Sequence, residues 1–324
     1  MQIVSVKTLV AAVLLVACAA TASGQAYPAR SVRVIVPYAS GGGADFVTRV
    51  FGKAWSDNLG QQFFVDNRAG ANGNIGSELA AKSPPNGYTL LSVANTTVTI
   101  NPSLYHQMPI DMLRDLAPVS IMAGQPNVLV VHPSLPARTV KELVALARGR
   151  PGQLDYASAS TGSSSHIAAE LFRLVAKINI THVPYKGNGP AMADLIGGQV
   201  QLMFNNLAPS VSQVKAGKLR ALAVTGEKRS AAAPEVPTMA EAGYAGVVFN
   251  LWVGLLAPAG TPADIISKLN AETVKAAQLR EVRERLLGEG TEPYTTSPSQ
   301  MADIMRRETA QWAKVVKAAN ITPQ

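Results

Sequence analysis

From Val32 onward, short β-branched runs alternate with segments whose apolar residues recur at helical spacing, and this alternation continues almost to the C-terminus. It is the strongest constraint on the fold, because strands separated by helices must return parallel and form α/β layers. Val32-Arg33-Val34-Ile35-Val36 reads as a buried strand, and Phe46, Val47, Val50, Phe51, Ala54 and Leu59 mark a helix that Gly60 ends. Strands follow at residues 88–93, 128–131, 154–158, 181–185, 200–204, 219–224 and 251–257. Helices are predicted after Thr139, at residues 165–175, from Pro190 to Gly197, at 264–277, and after Ser297-Pro298, with Ile304, Trp312 and Val316 on one face. Thr139 with Glu142 and Thr238 with Glu241 have the spacing of capping boxes. No repeat and no long linker interrupts the pattern. A chain of 324 residues exceeds what one core usually serves. We therefore expect two lobes between which the chain crosses inside structured segments.

The N-terminus follows another rule. Lys7 precedes an apolar run over residues 9–20 and then small residues up to Ala26, the order of a secretory leader. Cleavage after Ala26 makes 1–26 a signal peptide and starts the mature chain at Tyr27, in the periplasm. The alternative is a lipoprotein box, Leu15-Val16-Ala17-Cys18, with Cys18 acylated. Cys18 is the chain's single cysteine, so cleavage after Ala26 leaves neither disulfide nor thiol nucleophile. The formal net charge of +8 is scattered rather than gathered into a basic stripe with aromatics, which argues against nucleic-acid binding.

Two loops between a strand and a helix carry the chemistry. In Tyr38-Ala39-Ser40-Gly41-Gly42-Gly43-Ala44-Asp45 the glycines let backbone N–H groups approach a ligand, and the following helix N-terminus favours negative charge. It is not a P-loop, because no Gly-Lys-Ser/Thr follows, and the dinucleotide G-x-G-x-x-G spacing fails. The second loop, Ser158-Ala159-Ser160-Thr161-Gly162-Ser163-Ser164-Ser165-His166, is dense in hydroxyl donors. From it Ser160, Thr161, Gly162, Ser163, Ser165 and His166 are candidate ligand contacts, as are Tyr38, Ser40, Gly42, Gly43, Ala44 and Asp45 from the first loop. Asn95 and Thr96, and Asn205 and Asn206, follow strands, where α/β sheets place ligands. Trp252 is either core or a wall of the pocket. Asn74, in the Gly/Asn loop after Asn67, reads as a helix cap. A nucleophile elbow would need a second glycine that Gly162-Ser163-Ser164-Ser165-His166 lacks, so a hydrolase is the lesser reading. The four histidines show no metal-ligand spacing. No cofactor and no metal are expected.

These segments resemble the Bug family, the TctC-like solute-binding proteins of tripartite tricarboxylate transporters. The likeness is carried by Tyr27-Pro28-Ala29-Arg30, Val36-Pro37-Tyr38 with the glycine turn, Arg68-Ala69-Gly70-Ala71-Asn72-Gly73-Asn74-Ile75-Gly76, and Ile100-Asn101-Pro102-Ser103-Leu104-Tyr105. It continues through His182-Val183-Pro184-Tyr185-Lys186-Gly187, residues 194–200, residues 215–224 and residues 254–262. The resemblance implies a Venus-flytrap fold of two α/β lobes, each a mostly parallel sheet flanked by helices, one comprising 27–126 and 251–324 and the other 127–250. It implies a ligand carboxylate gripped between the loops at 40–45 and 160–166, with ordered waters helping, and a monomer that delivers a small organic carboxylate to a membrane permease. A sensor subunit for a signalling kinase is the alternative. The family usually has Met-Phe-Asp where this chain has Met203-Phe204-Asn205, which argues against an ammonium-bearing ligand. A dicarboxylate or an aromatic acid is expected, and no enzymatic activity.

Overall fold

The computed structural model describes residues 27–321. The signal peptide, its cleavage after Ala26 and the Cys18 alternative fall outside the described residues.

The strands β1 (Val32–Val36), β2 (Phe63–Asn67) and β3 (Thr89–Ala94) form one side of the first sheet, with β1 parallel to both neighbours. On β3 lies β9 (Asn250–Pro258), antiparallel, and on β9 lies β4 (Leu116–Val131), also antiparallel. The short β10 (Glu292–Pro293) pairs with β4 at Ala123 and Gly124. The second sheet joins β4 to β7 (Leu202–Asn206) and β8 (Arg220–Val224), both antiparallel, and continues through β5 (Asp155–Ser158) to β6 (Thr181–Pro184), both parallel. Parallel pairing thus holds for the outer strands, while every pairing of β4 and β9 is antiparallel.

The 16-residue strand β4 belongs to both sheets. Through Pro126 it pairs with β9, from Asn127 with β7 and from Val128 with β8. Thr225 fastens the crossing. Its N–H donates to Asn127 O at 2.8 Å, its Oγ1 accepts from Asn127 N–H at 2.9 Å, and its carbonyl accepts from Phe249 N–H at 3.0 Å.

Helix α1 (Gly43–Leu59) buries Val47, Val50, Phe51, Ala54 and Trp55, an i, i+3, i+4, i+7, i+8 stripe. Gly60, left-handed at φ 68°, ends it by donating to Ser56 O. Then come α2 (Asn74–Ala81), a helical stretch at Thr96–Ile100 leading into α3 (Asn101–Leu104), α4 (Val140–Gly149), α5 (Ser164–Ala176), α6 (Asn188–Ile196) and α7 (Leu207–Lys215). The C-terminal helices are α8 (Ala263–Gln278), α9 (Arg280–Gly288) and α10 (Pro298–Ala318). Two apolar cores cover the two faces of the first sheet, one around Trp55 and Phe51, the other around Ile35, Leu91 and Trp252. Two more cover the second sheet. Helix α10 serves both lobes: Met301 and Met305 pack in the first lobe, while Trp312, Val315 and Val316 pack among Tyr156, Phe172 and Phe204 of the second.

Several expectations shift by local physics. Only residues 128–131 of β4 read as strand, because Pro118, Gly124 and Pro126 break the apolar run. Strand β7 starts two residues later than expected. The box at Thr139 and Glu142 caps α4 as read. At Thr238 and Glu241 both reciprocal bonds form, at 3.1 and 2.8 Å, yet they close a turn rather than a helix, since Gly243 and Gly246 follow. Asn74 is the first residue of α2 rather than its cap, and its side chain accepts from Asn101 Nδ2 at 2.8 Å.

Candidate functional site

Between the lobes lies a cavity of about 220 Å³, roughly the bulk volume of seven waters. Its walls come from both sheets and both loops. Tyr38, Gly43, Ala44 and Val47 face Ser163, Ser164, Asn188 and Asn206 across it, and Gly124, Gln125, Leu251, Val253 and Thr291 close the crossing side. Among the described residues, none that lines it is charged. The lining instead includes the first residues of four helices: Gly43 and Ala44 of α1, Ser163 and Ser164 at α5, Asn188 of α6 and Asn206 at α7. Helices α1, α6 and α7 have no side-chain cap. Their opening N–H groups lack intrahelical acceptors and carry the positive end of the helix dipole. A wider cleft of about 870 Å³ adjoins this cavity at Asn72 and is lined by Tyr105, Ser160, Thr161, Tyr185 and Lys186.

The glycine turn is built to keep its backbone open. Gly42 is extended at φ −79°, and a Cβ on Gly43 would meet nothing within 4 Å. Gly41 takes φ +83° and donates its N–H to Asp45 Oδ2 at 2.9 Å. Asp45 is therefore turned away from the ligand side. It is 3 % exposed and also accepts from Arg49 Nε at 2.9 Å and Asn67 Nδ2 at 3.0 Å. Burial pushes its carboxyl up, but those three bonds together hold it below the usual carboxylate range. Tyr38 lines the cavity, and its hydroxyl accepts from Ala94 N–H at 3.1 Å and pairs with Thr97 Oγ1 at 2.6 Å. Burial pushes this phenol up to about 12, so it stays a neutral hydroxyl.

The serine loop is braced from within. Ser163 caps α5, donates to Ser160 O at 2.6 Å and pairs with Ser165 Oγ at 2.9 Å. Ser165 is buried and accepts from Ala159 N–H at 2.9 Å. Gly162, at φ +78°, donates to His166 Nδ1 at 3.0 Å. His166 is 3 % exposed, and burial, with His182 and Arg173 nearby, pushes its imidazole down to about 3. Ser163 therefore reaches the inner cavity and Ser160 and Thr161 the outer cleft, while Ser165, Gly162 and His166 line neither.

The other candidates divide in the same way. Thr96 and Asn206 line the cavity; Ser40 and Gly42 are exposed and line neither the cavity nor the outer cleft. Asn205 points elsewhere: it is 1 % exposed, and its Nδ2 reaches Ser210 Oγ at 3.3 Å. Asn95 and Trp252 also point elsewhere. Trp252 is 2 % exposed in the first lobe's core and donates Nε1 to both oxygens of Glu308, at 3.0 and 3.1 Å. Asn95 Nδ2 bonds Asn250 O at 2.9 Å and reaches Glu308 Oε2 at 3.4 Å. Burial raises the Glu308 carboxyl, against those hydrogen bonds. This knot ties β3, β9 and α10 together, and Trp252 is core rather than a wall of the inner cavity.

Sequence reasoning passed over Ser164, Asn188, Asn72, Gln125 and Thr291. Gly187-Asn188 opening a helix is the same signal as the glycine turn, and Asn72 sits in a Gly/Asn loop given a structural role. Nothing local marks Gln125 or Thr291, which the strand crossing brings together at 3.4 Å. Among the described residues, no helix is long and apolar enough to cross a membrane.

The model of the tripartite tricarboxylate transporter family receptor, TctC, matches residues 47–321. Protein BugT of Bordetella pertussis is 40% identical over 300 residues, covering 92% of each chain. Among solved structures, an R. palustris protein with adipate is 38% identical at TM-score 0.81, over 92% of this chain and 100% of that one. MatC from Rhodopseudomonas palustris with bound malate is 31% identical at TM-score 0.77, over 90% of this chain and 100% of that one. A protein described as a periplasmic transporter is 39% identical at TM-score 0.81, over 92% of this chain and 99% of that one. With two lobes meeting on an uncharged cavity and this likeness running through both of them, the chain belongs to the TctC family of tripartite tricarboxylate transporter receptors, also called Bug proteins, which are periplasmic solute-binding proteins.

Proposed function

We propose that this protein captures a small organic carboxylate between its lobes and presents it, as a monomer without catalytic activity, to a tripartite-type permease. The observation that carries this reading is the convergence of four helix N-termini on a cavity with no charged lining residue. Such a site holds an anion by oriented N–H groups and hydroxyls rather than by a counter-charge. Relatives solved with adipate and with malate support the same class. One carboxylate sits against Gly43, Ala44 and Ser164, and Asn206, Gln125 and Thr291 meet the other end. Val47, Leu251 and Val253 flank an apolar middle.

Asn205 no longer argues against an ammonium group, because its side chain lies outside the cavity. The absence of any carboxylate among the lining residues makes that argument instead. Dicarboxylates or aromatic acids are therefore favoured over amino acids. The proposed lobes are 27–126 with 251–324, and 127–250, the last turns of α10 acting as a strut onto the second lobe. Export with cleavage before Tyr27 belongs to the same reading.

A thermal-shift screen of malate, adipate, citrate, benzoate, nicotinate, phthalate and amino acids tests the ligand class. A ligand at 100 times its dissociation constant adds about 2.7 kcal/mol, enough to raise the melting temperature by several degrees. Shifts confined to amino acids or uncharged sugars would sink the carboxylate reading.

A further inference from the structure

Beneath the serine loop three rings are stacked that the binding site itself does not use. His166, in the first turn of α5, lies 4.0 Å from His182 of β6, centroid to centroid, with their planes 11° apart. Tyr156 of β5 lies 4.9 Å from His182 at 20°. Both imidazoles are bonded into the loop above them. His166 Nδ1 accepts the Gly162 N–H at 3.0 Å, and His182 Nε2 pairs with Ser158 Oγ at 2.6 Å. A nitrogen that accepts a backbone N–H carries no proton, so His166 is the neutral tautomer with its proton on Nε2. The groups facing the stack are Glu170 and Arg173 of α5 and the Tyr156 hydroxyl. They satisfy one another: Tyr156 donates to Glu170 Oε1 at 2.5 Å and Arg173 Nε to Glu170 Oε2 at 2.8 Å.

Gly162 is also where the second lobe meets the first. A Cβ placed on it would overlap Leu104 Cδ1 of α3, and Asn72 Nδ2 would stand 3.9 Å away. The residue whose N–H His166 holds therefore stands against Leu104, with no room for a side chain. Its φ of +78° suits glycine, and its buried N–H is satisfied by His166 Nδ1.

We propose that His166 is the positioning residue of the ligand loop: lying flat on His182, its bare Nδ1 fixes Gly162 against Leu104 and so holds residues 158–166 in their ligand-competent shape. This rests on the reading of that loop as half of the carboxylate site. Neither imidazole touches the ligand. A proton on Nδ1 would set N–H against N–H and free the loop.

The test compares His166→Asn, whose Oδ1 replaces the Nδ1 acceptor, with His166→Leu, which keeps apolar bulk and no acceptor. Calorimetry with adipate and with malate reads affinity, hydrogen exchange of the Gly162 amide reads the loop in the ligand-free protein, and nitrogen NMR reads the wild-type tautomer. Expected are near-wild-type affinity and protected Gly162 in His166→Asn, with about tenfold weaker binding and fast Gly162 exchange in His166→Leu. The His166 spectrum shows Nε2 protonated and Nδ1 bare. Equal binding by wild type and His166→Leu overturns the proposal, as does equal loss in both variants or a protonated Nδ1. Should His166→Leu fail to fold, His166→Asn and the nitrogen spectrum still decide. If wild type binds no acid, the carboxylate reading fails, while Gly162 exchange and the spectrum still judge the role of His166.

Discussion

The two loops proposed to hold the ligand are built in opposite ways. In the first lobe the turn at 40–45 is bare backbone: Gly42 and Gly43 have negative or unremarkable φ and nothing crowds a Cβ there, while Asp45 leaves the ligand side to pin Gly41 and Arg49. In the second lobe the turn at 158–166 is cross-braced by Ser163, Ser165 and His166, and it is pressed against Leu104. At Gly42 and Gly43 the first loop has room for side chains and leaves its backbone open, while Gly41, at φ +83°, is held by Asp45. The second spends most of its polar atoms on its own shape and presents Ala159, Ser163 and Ser164 to the inner cavity. Glycine therefore means different things in the two: open access in one, a forced conformation at a contact in the other.

That contrast breaks most visibly at Gly162. Gly162→Val meets both a positive φ and the Leu104 side chain, so it should cost about 2–4 kcal/mol in urea unfolding and abolish binding of any acid that shifts the wild-type melt. Leu104→Ala in the same chain should recover only the steric part. Gly43→Val should do the reverse. Binding should vanish in calorimetry while urea stability stays within about 1 kcal/mol, because the helix start accepts a side chain and the ligand does not. Full affinity in folded Gly43→Val would make the first loop only a turn.

The imidazole of the second loop gives a pH signature that starts near neutrality, whereas Asp45 of the first loop, held below the usual carboxylate range, acts only at lower pH. His166 titrates near 6.5 when unfolded and is pushed down to about 3 by burial in the folded protein. The unfolded chain thus binds the proton first, and stability is lost as pH falls from about 6.5 toward 3. At pH 5 this group alone should cost about 2 kcal/mol, and His166→Asn should flatten that part of the profile. A smaller effect is expected at Asp45→Asn: stability falls by about 1 kcal/mol through the lost Arg49 pair, while affinity changes less than about threefold, because the carboxyl faces away from the cavity. A large affinity change there would return Asp45 to the ligand.

Both loops were legible as chain, because a strand followed by Ser40-Gly41-Gly42-Gly43 or by Ser158 to His166 is a local pattern. Which of their atoms point inward was not. Ser163 and Ser165 are two residues apart on the first turn of one helix, yet one lines the cavity and the other is buried under Ala159. Trp252 shows the same limit, since its alternation along β9 is the same whether that face meets a ligand or Met301. Asn205 and Asn206 are adjacent, and the pleat sends one to Ser210 and the other to the cavity. Reading β7 two residues early leaves that parity untouched, but it hides that Asn206 also starts α7.

The family, the two loops and most of the alternation of strands and helices followed from the sequence alone, because hydrophobic period, capping residues and glycine turns are set by neighbours within a few positions, whereas β2, β10, α7 and α9 were not read. The crossing was decided only in three dimensions. The break in β4 pairing between Pro126 and Asn127, the joining of Gln125 to Thr291 from 166 residues away, and the strut of α10 across both lobes depend on contacts that no local pattern encodes. The uncharged cavity is likewise a tertiary product: four helices scattered along the chain bring their N-termini to one point because the two sheets share a strand.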